Sequence, residues 1–476
     1  MGWFILLLIV AFLAVLLIRG LLFTPKTEPA ADAAPETIDR EKAVGDLQQL
    51  IRAKTVSYRD KTMEDEAEFE KLEQLLPQLF PNVARACEFV KPGPRSLLFC
   101  WKGQSSDKPG VLMAHYDVVP VDEEGWDKPA FDAIIEDGVM WGRGTLDTKG
   151  TLLGVLEAAD SLIAEGFVPA QDLYLAFAGD EEISGDGAPC IIRWLQAHDI
   201  QPDFVLDEGG AVVENVFPGV HVPSAMIGIG EKGPMDVKLV LDSAGGHAST
   251  PPPHSPVGVL AQAVTRIESH PFPFQLTAPA AQMFDKLGRR STFLFRVIFA
   301  NLWCFKAVLN LICKKSGGEL NALVRTTVAF TQMQGAAASN VLPPHAWVGA
   351  NLRLIGDETT ESAKAYLEKV IANEKIKVEV VHGMNPSPIS RTDCEPWERL
   401  SAAIRATWTD TVVSPYLMLA CSDSRHYSRI CPHVYRFSAM ALSKAERGMI
   451  HANNERVPLD TIEKTVAFYR RLIKMC

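Results

Sequence analysis

Two rhythms of apolar positions run through this chain. Short apolar runs that end in polar clusters predict strands, and longer stretches with Leu, Ile, Val and Ala at helical spacing predict helices. Val111-Leu-Met-Ala114, after Gly110, is too brief for a helix and reads as a buried strand leading into His115 and Asp117. Leu173–Ala178 runs into Gly179-Asp-Glu-Glu182, and Phe204-Val-Leu206 runs into Asp207-Glu-Gly-Gly210. Ser96–Trp101 reads as a strand neighbouring Val111–Ala114, and helices are predicted at Thr151–Ala164 and Ala188–His198. This alternation implies an α/β fold with a mostly parallel sheet covered on both faces. Three strands would then deliver His115, Glu181, Glu182 and Asp207 to one rim, beside Asp147 in a Gly-rich turn. Open α/β sheets gather ligand groups in that place.

The pattern changes after Gly233. Met235–Leu241 alternates with period two, and a helix follows at Pro256–Ser269. Strands near Thr326–Met333 and Trp347–Leu354, a helix at Thr360–Asn373 and a strand at Lys377–Val381 complete the set. Strand–helix–strand–strand–helix–strand is the ferredoxin-like order. Residues 234–383 are therefore expected to form an inserted α+β domain that splits a catalytic domain into 38–233 and 384–476. Within it, Phe293–Cys313 is apolar enough to suggest a membrane span, but Arg296 and Lys306 are costly at bilayer depth, and Asn301 and Asn310 weaken a span further. A buried or amphipathic helical insert is expected instead. Ile38–Leu79 predicts amphipathic helix. After a Pro/Ser linker at Asn385–Ser390 come helix Pro396–Trp408, strand Val434–Phe437, the segment His451-Ala-Asn-Asn-Glu455 and helix Leu459–Met475.

Residues 1–23 stand apart. Trp3–Ile18 is unbroken apolar sequence, extended by Leu21-Leu-Phe23 after Arg19-Gly20. With Arg19 snorkelling, that is about the ~20 residues a membrane helix needs. The rival is a signal peptide cleaved at Ala31-Asp32-Ala33, although that site lies far from the apolar run and the amino end lacks a basic cluster. Residues 24–37, rich in Pro, Ala and acids, read as a linker. By charge alone Arg19 and Lys26 place the chain beyond them in the cytoplasm. The expectation carried forward is a single-pass anchor with the catalytic part outside the cytoplasm, secretion after cleavage being the alternative. A net charge of −11 argues against nucleic acid as the main partner. Nine cysteines without a C-x-x-C pair form neither a zinc ribbon nor a disulfide framework, and leave the redox compartment open.

The polar clusters carry the chemistry. A lone His at a strand end is usually structural, an Asp in a turn is ordinarily a helix cap, and adjacent acids are ordinarily solvated. Three strands ending in such residues on one rim are poorly explained by those readings. That many carboxylates on a dry edge repel unless cations neutralise them. Two imidazoles and three carboxylates, one of them shared, suit two divalent ions ~3.5–4 Å apart. Mixed nitrogen and oxygen ligands favour Zn²⁺, with Co²⁺ or Mn²⁺ as substitutes.

Five segments carry a resemblance: His115-Tyr-Asp-Val-Val-Pro120, Gly142-Arg-Gly-Thr-Leu-Asp-Thr-Lys149, Gly179-Asp-Glu-Glu182, Asp207-Glu-Gly-Gly210 and His451-Ala-Asn-Asn-Glu455. Together, from about Glu41 to the carboxyl terminus, they resemble the zinc peptidase family of carboxypeptidase S, aminoacylase, acetylornithine deacetylase and glutamate carboxypeptidase. The resemblance implies one zinc on His115, Asp147 and Asp207, and another on Asp147, Glu182 and His451. It implies Asp117 as the carboxylate orienting His115, Glu181 as general base, and a cis peptide at Asp147–Thr148. In the inserted domain, which would act as a lid and dimerisation unit, Gly245-Gly-His-Ala-Ser-Thr-Pro251 is similar to a segment bearing an oxyanion-stabilising histidine, here His247. Asn340 is similar to a residue that contacts the substrate carboxylate. Arg425 is a candidate clamp for the same carboxylate, because a guanidinium binds it bidentately. Where the family shows Gly-Gly-Thr-Asp, this chain has Ala420-Cys-Ser-Asp423.

The activity implied is cleavage of the amide bond of a peptide or N-acyl amino acid. The fuller HYDVVP and DSRHY segments and the apolar insert look most like the carboxypeptidase S and N-fatty-acyl-amino-acid hydrolase/synthase subgroup. A nucleotide-binding reading of Gly142-x-Gly144 fails on order, because Lys149 precedes Gly150 rather than a Ser or Thr. A non-catalytic membrane-tethered receptor on the same fold would have lost a ligand or the base, and none is lost.

Overall fold

The computed structural model describes residues 2–29, 33–216 and 219–476, so two residues of the Ala31-Asp32-Ala33 cleavage site lie outside the described residues. Twelve strands form two sheets that matter for the site. They are β1 (Glu88–Gly93), β2 (Ser96–Trp101), β3 (Ser105–His115), β4 (Gln171–Ala178), β5 (Phe204–Val213), β6 (Ser224–Glu231), β7 (Gly233–Asp242), β8 (Thr327–Gln334), β9 (His345–Leu354), β10 (Ile376–Gly383), β11 (Val412–Met418) and β12 (Val434–Ala441).

The larger sheet runs β1-β2-β4-β3-β5-β12-β6-β11. It is mixed rather than mostly parallel. β3 runs parallel to β4 and β5, and β5 to β12, whereas β1, β2 and β4 pair antiparallel in turn. Pro94-Arg95, all that joins β1 to β2, leaves no room for the crossover that parallel strands need. β2 and β3 are not neighbours either, because β4 lies between them. Both faces are covered. The buried helix Lys149–Ala164 and the closing helix Leu459–Lys474 pack on one side, and Gly187–Ala197 packs on the other.

The expected strand at Phe204–Leu206 continues to Val213 through Gly209 and Gly210. A Cβ at Gly210 would overlap the Met226 carbonyl oxygen, and Gly209 has φ 137° against Arg436 and Met418. Only glycine lets the strand carry on there. The Ile38–Leu79 stretch is two helices, Arg40–Ile51 and Glu66–Leu79, not one. Thr55-Val56-Ser57 between them is extended and bridges to Val118, with Asp65 capping the second helix.

The second sheet is antiparallel throughout, in the ferredoxin-like order β8-β9-β7-β10. Alternate residues of β7 (Met235, Val237, Leu239) join Leu260 and Ile267 of helix Pro256–Ser269 and Leu367 of helix Thr360–Ile371 in a separate core. Phe293–Cys313 is buried on one face only, through Val297, Ala300, Asn301 and Cys313. It forms two helices, Phe293–Ala300 and Leu302–Ser316, bent by 112°, with Leu294 and Trp303 largely exposed.

Lys232 joins the two sheets. Its Nζ donates to the carbonyls of Ala322 and Arg325, both at 3.0 Å. Burial, with Arg353 nearby, pulls its pKa down to about 7. An unfolded lysine titrates near 10.4, so between about pH 7 and 10.4 the unfolded chain holds a proton that the folded chain has released. The contribution of Lys232 to stability therefore climbs with pH across that window, by up to about 1.4 kcal/mol per pH unit. Lys232→Met should flatten this slope in denaturant titrations run from pH 7 to 10. A variant with the parent's slope would remove Lys232 as its source.

Candidate active site

Five stretches of chain converge beyond the carboxyl end of β3. His115 is its last residue and pairs with Ala178 of β4, so the turn after β4 sets Glu181 and Glu182 beside the imidazole. Glu208 comes from β5, which pairs with β3 up to Leu112. Asp147 stands at the start of helix Lys149–Ala164, and the Asp147–Thr148 peptide bond is cis. His451 arrives from near the end of the chain on left-handed backbone, φ 61°.

The two imidazoles meet at Asp147. His115 Nε2 lies 2.9 Å from Oδ1 and His451 Nε2 lies 3.1 Å from Oδ2. Each imidazole faces a further carboxylate, Glu208 Oε1 at 3.3 Å from His115 and Glu182 Oε2 at 3.0 Å from His451. The result is two triads that share Asp147. Glu181 adjoins the first, because its carboxylate, His115 and Glu208 each offer an atom within 4.8 Å of the others.

Two buried carboxylates hold this arrangement. Asp117 accepts the backbone N–H of Glu181 (3.1 Å) and of Glu182 (3.2 Å), and the Ser57 hydroxyl (2.7 Å). His115 Nδ1 donates to the Asp117 backbone oxygen at 3.0 Å. A carbonyl can only accept, so the neutral ring keeps its proton on Nδ1 and turns the Nε2 lone pair toward Asp147 and Glu208. Glu455 accepts from the backbone N–H groups of Gly144, Leu146 and Asp147, and from Arg143 Nη1 at 2.7 Å. It ties the His451 segment to the Asp147 turn. Neither Ser57 nor the role of Glu455 was foreseen, although Glu455 lies in the His451–Glu455 motif.

The electrostatics call for cations. Burial pushes the Glu181 pKa far above the ordinary carboxylate range and that of Glu208 up to about 8, with Asp147 adding to the second. Burial opposes charge on His115, but Glu208, Asp117 and Asp147 outweigh it and push its pKa well above the ordinary imidazole value. Hydrogen bonds donated to Asp147 and Glu182 push His451 up to about 10. Burial alone would raise Asp147, yet His115 and His451 hold it well below its usual range. Two carboxylates ~4 Å apart repel by about 4 kcal/mol at an effective dielectric near 20. Glu182 Oε1 is buried with no partner at all. Imidazole nitrogens and carboxylate oxygens facing one another, with one acceptor orphaned, make a donor set that would suit divalent cations in place of protons.

Asp207 is the correction. Neighbouring residues on a strand point to opposite faces, so only one of Asp207 and Glu208 can reach His115, and it is Glu208. Asp207 turns instead to the loop after β11 and accepts the Ser424 N–H at 3.0 Å. Asp423, in the departing Cys-Ser-Asp segment, is buried near it, and burial and Asp207 push its pKa well up. His247 and Asn340 stand apart from the cluster and close to each other. Gly246–His247 pairs with Val341–Leu342, and Ala248 N–H donates to the Asn340 oxygen at 3.0 Å. Both side chains are exposed. Arg425 is buried, with Nη2 donating to the Asn385 oxygen at 3.0 Å and Nη1 unpartnered, 3.8 Å from Glu231. Lys149, the residue of the nucleotide-binding reading, is fully buried and donates to the carbonyls of Leu50 and Ala53, so it cannot serve a phosphate.

A mixed α/β sheet with two carboxylate-bridged ligand triads beyond its strand ends defines a metal-dependent hydrolase. The chain matches the profile of Peptidase family M20/M25/M40 over residues 111–475 and belongs to that family. It is 34% identical over 481 residues to "Probable carboxypeptidase S-like 2" of Dictyostelium discoideum, covering 98% of this chain and 92% of that one. It is 35% identical over 445 residues to the N-fatty-acyl-amino acid synthase/hydrolase PM20D1 of Xenopus tropicalis, covering 92% and 86%. Among solved structures, the M20 family metallo-carboxypeptidase Sso-CP2 from Sulfolobus solfataricus superposes with a TM-score of 0.65 at 18% identity, over 91% of this chain and 98% of that one. Human carnosine dipeptidase 1 follows at 0.64 and 15%, over 92% and 96%.

The choice between neighbouring acids has a direct test. Elemental analysis of purified protein should show bound metal reduced in Glu208→Gln and retained in Asp207→Asn. The opposite result would return Asp207 to the site.

Proposed function

We propose that this M20 enzyme hydrolyses the amide bond of a peptide or N-acyl amino acid and releases the carboxyl-terminal amino acid. The observation that carries this is the sharing of Asp147 between His115 and His451. His115, Asp147 and Glu208 would hold one ion, and Asp147, Glu182 and His451 the other, with Zn²⁺ the best match to the donors. Two such ions supply Lewis acidity toward a carbonyl and toward water.

The remaining steps belong to the chain's own residues. Glu181 takes the proton of the attacking water and passes it to the leaving nitrogen; its burial suits a carboxylate that must both accept and give a proton. Asp117 is a positioning residue that fixes His115 and the backbone of Glu181 and Glu182. His247 Nδ1 accepts the Ser249 N–H at 3.1 Å, which leaves Nε2–H free to donate to an oxyanion. Asn340, its neighbour, and Arg425, whose Nη1 is unpartnered, are assigned to the substrate carboxylate.

Because His247 and Asn340 lie on the β7–β10 unit and outside the cluster, residues 234–383 act as a lid that brings them in. They do so by closure within one chain or across a homodimer. The exposed Val380 and Val381 on edge strand β10 support such pairing. The catalytic part comprises residues 38–233 and 384–476. Helix Gly2–Leu22, with a mean hydropathy of 3.0, is the retained single-pass anchor, joined by linker 24–37 to a catalytic part outside the cytoplasm.

A second reading, hydrolysis or the reverse synthesis of N-acyl amino acids with a long apolar acyl group, is favoured by one cavity. About 290 Å³ in volume, it begins at Gly209 and Ile450, the residues next to Glu208 and His451, and is walled by Met226, Met283, Leu323 and Tyr416.

Assays of the metal-loaded protein against short peptides and N-acyl amino acids, with mass-spectrometric product analysis, test the reaction. No amino acid released from either class would sink it. Glu181→Gln should lower turnover by about 10²–10⁴-fold with metal content intact, and undiminished turnover would remove Glu181 as the base. Leu323→Trp, which narrows the cavity, should lower kcat/KM for long-chain N-acyl substrates by about tenfold or more while sparing dipeptides. Equal effects on both would exclude the cavity as an acyl site.

A further inference from the structure

The bent helices Phe293–Ala300 and Leu302–Ser316 present an apolar surface that no other part of the described residues covers. Leu294, Trp303 and Leu311 are 69%, 62% and 57% exposed, and Val308 and Ile312 stand with them. A patch of this kind on an otherwise well-packed chain marks a contact with another apolar phase.

Its position is fixed by helix Gly2–Leu22. Val297 packs against Gly20, where a Cβ would lie 2.5 Å from Val297 Cγ2. Arg19 Nη2 donates to the Ala300 oxygen at 2.9 Å and Nε to Asn301 Oδ1 at 3.0 Å. Asn301, fully buried, donates back to the Leu16 oxygen at 3.1 Å. Arg19 does not snorkel. Arg19 and Asn301 thus satisfy one another, while of the elbow's two charged residues within Phe293–Cys313, Arg296 donates to the Ser291 oxygen at 3.2 Å and Lys306 lies over the Phe274 ring, 5.5 Å from its centroid.

Further along, the rings of Phe12 and Trp303 meet edge to face, 6.1 Å between centroids. Phe12 sits near the middle of the 21-residue helix. At 1.5 Å per residue such a helix is about 31 Å long, the thickness of a bilayer's hydrocarbon core. If its ends lie at the two interfaces, its middle and whatever touches it lie well below the surface. Lys314 and Lys315 end the second helix, exposed, as lysines at a headgroup layer do.

We propose that the elbow Phe293–Ser316 is a second, non-spanning membrane element, immersed in the same leaflet as the carboxyl-terminal half of the anchor and docked on it through Arg19, Gly20 and Asn301. The occupant of the patch is the lipid acyl phase. The proposal rests on the reading of Gly2–Leu22 as a retained span, and the test separates the two.

The full chain is placed in phosphatidylcholine–phosphatidylglycerol vesicles whose acyl chains carry bromine, a contact quencher of tryptophan. Subtracting the emission of Trp303→Phe from that of the parent isolates Trp303, and Trp3→Phe isolates Trp3 in the anchor. Both signals should be quenched in brominated vesicles and unquenched in plain ones. Trp3 quenched with Trp303 unquenched overturns the immersed elbow and leaves the anchor standing, whether water or a second copy of the chain then meets the patch. Both unquenched overturns the anchor and the elbow with it. Should Trp303→Phe fail to insert, Trp303→Tyr supplies the same difference signal and is read by the same outcomes.

Discussion

Asp147 must face two imidazoles at once, and most of the site's construction follows from that demand. Its oxygens meet His115 and His451, side chains from distant parts of the chain, while Glu182 and Glu208 crowd in behind them. Left alone the acids would repel, or take up protons, and the triads would lose their shape. Two further carboxylates prevent this by being fully occupied. Glu455 gathers the N–H groups of the Asp147 turn and is neutralised by Arg143, and Asp117 gathers those of Glu181 and Glu182. Charge-assisted bonds to backbone are short and directional, so the inner pair is rigid. The outer acids are only partly satisfied: Glu182 Oε2 and Glu208 Oε1 face imidazole nitrogens, while Glu182 Oε1 is buried without a partner.

Much of this was legible in the residues. An apolar run ending at His115, a Gly-rich turn carrying Asp147, another apolar run ending at Glu181-Glu182 and a late His451 segment named all but one of the converging groups. The exception is a matter of phase. Asp207-Glu208 reads as a pair at a strand end, and if the strand stopped at Leu206 either acid could reach the site. It continues through Gly209-Gly210, and strand alternation then gives the site to Glu208 and the 422–424 loop to Asp207. Sheet order was illegible for a related reason. Periodicity identifies a strand but not its neighbour, and only long-range pairing puts β4 between β2 and β3. Ser57 was missed because its segment looked like part of a long amphipathic helix, whereas it is extended and bridged to Val118.

The groups assigned to substrate are dispersed in a way the metal ligands are not. Ligands must preexist, because an ion gains little from a site it must first assemble. Groups that stabilise developing charge gain from arriving with the substrate, since closure excludes water and strengthens each hydrogen bond. His247 and Asn340 fit that division. His247 lies in a short strand pairing with Val341–Leu342, next to Asn340, on the unit that Lys232 joins to the larger sheet, and both residues remain exposed. Arg425 differs in being buried with one nitrogen unpartnered, already dehydrated before a carboxylate arrives.

The amino-terminal helix carries the same logic outward. An arginine near the end of an apolar helix and an asparagine at the bend of an apolar elbow are each liabilities, and together they are a lock. Arg19 finds the Ala300 oxygen and Asn301, Asn301 finds the Leu16 oxygen, and the small Gly20 lets Val297 come close enough for both. The chain then runs from the elbow to Leu320 and Leu323, which line the cavity together with Gly209 and Ile450. Between elbow and cavity the chain carries the charged Lys314, Lys315 and Glu319, so the two apolar surfaces are separate features of one segment, each leaving apolar side chains uncovered.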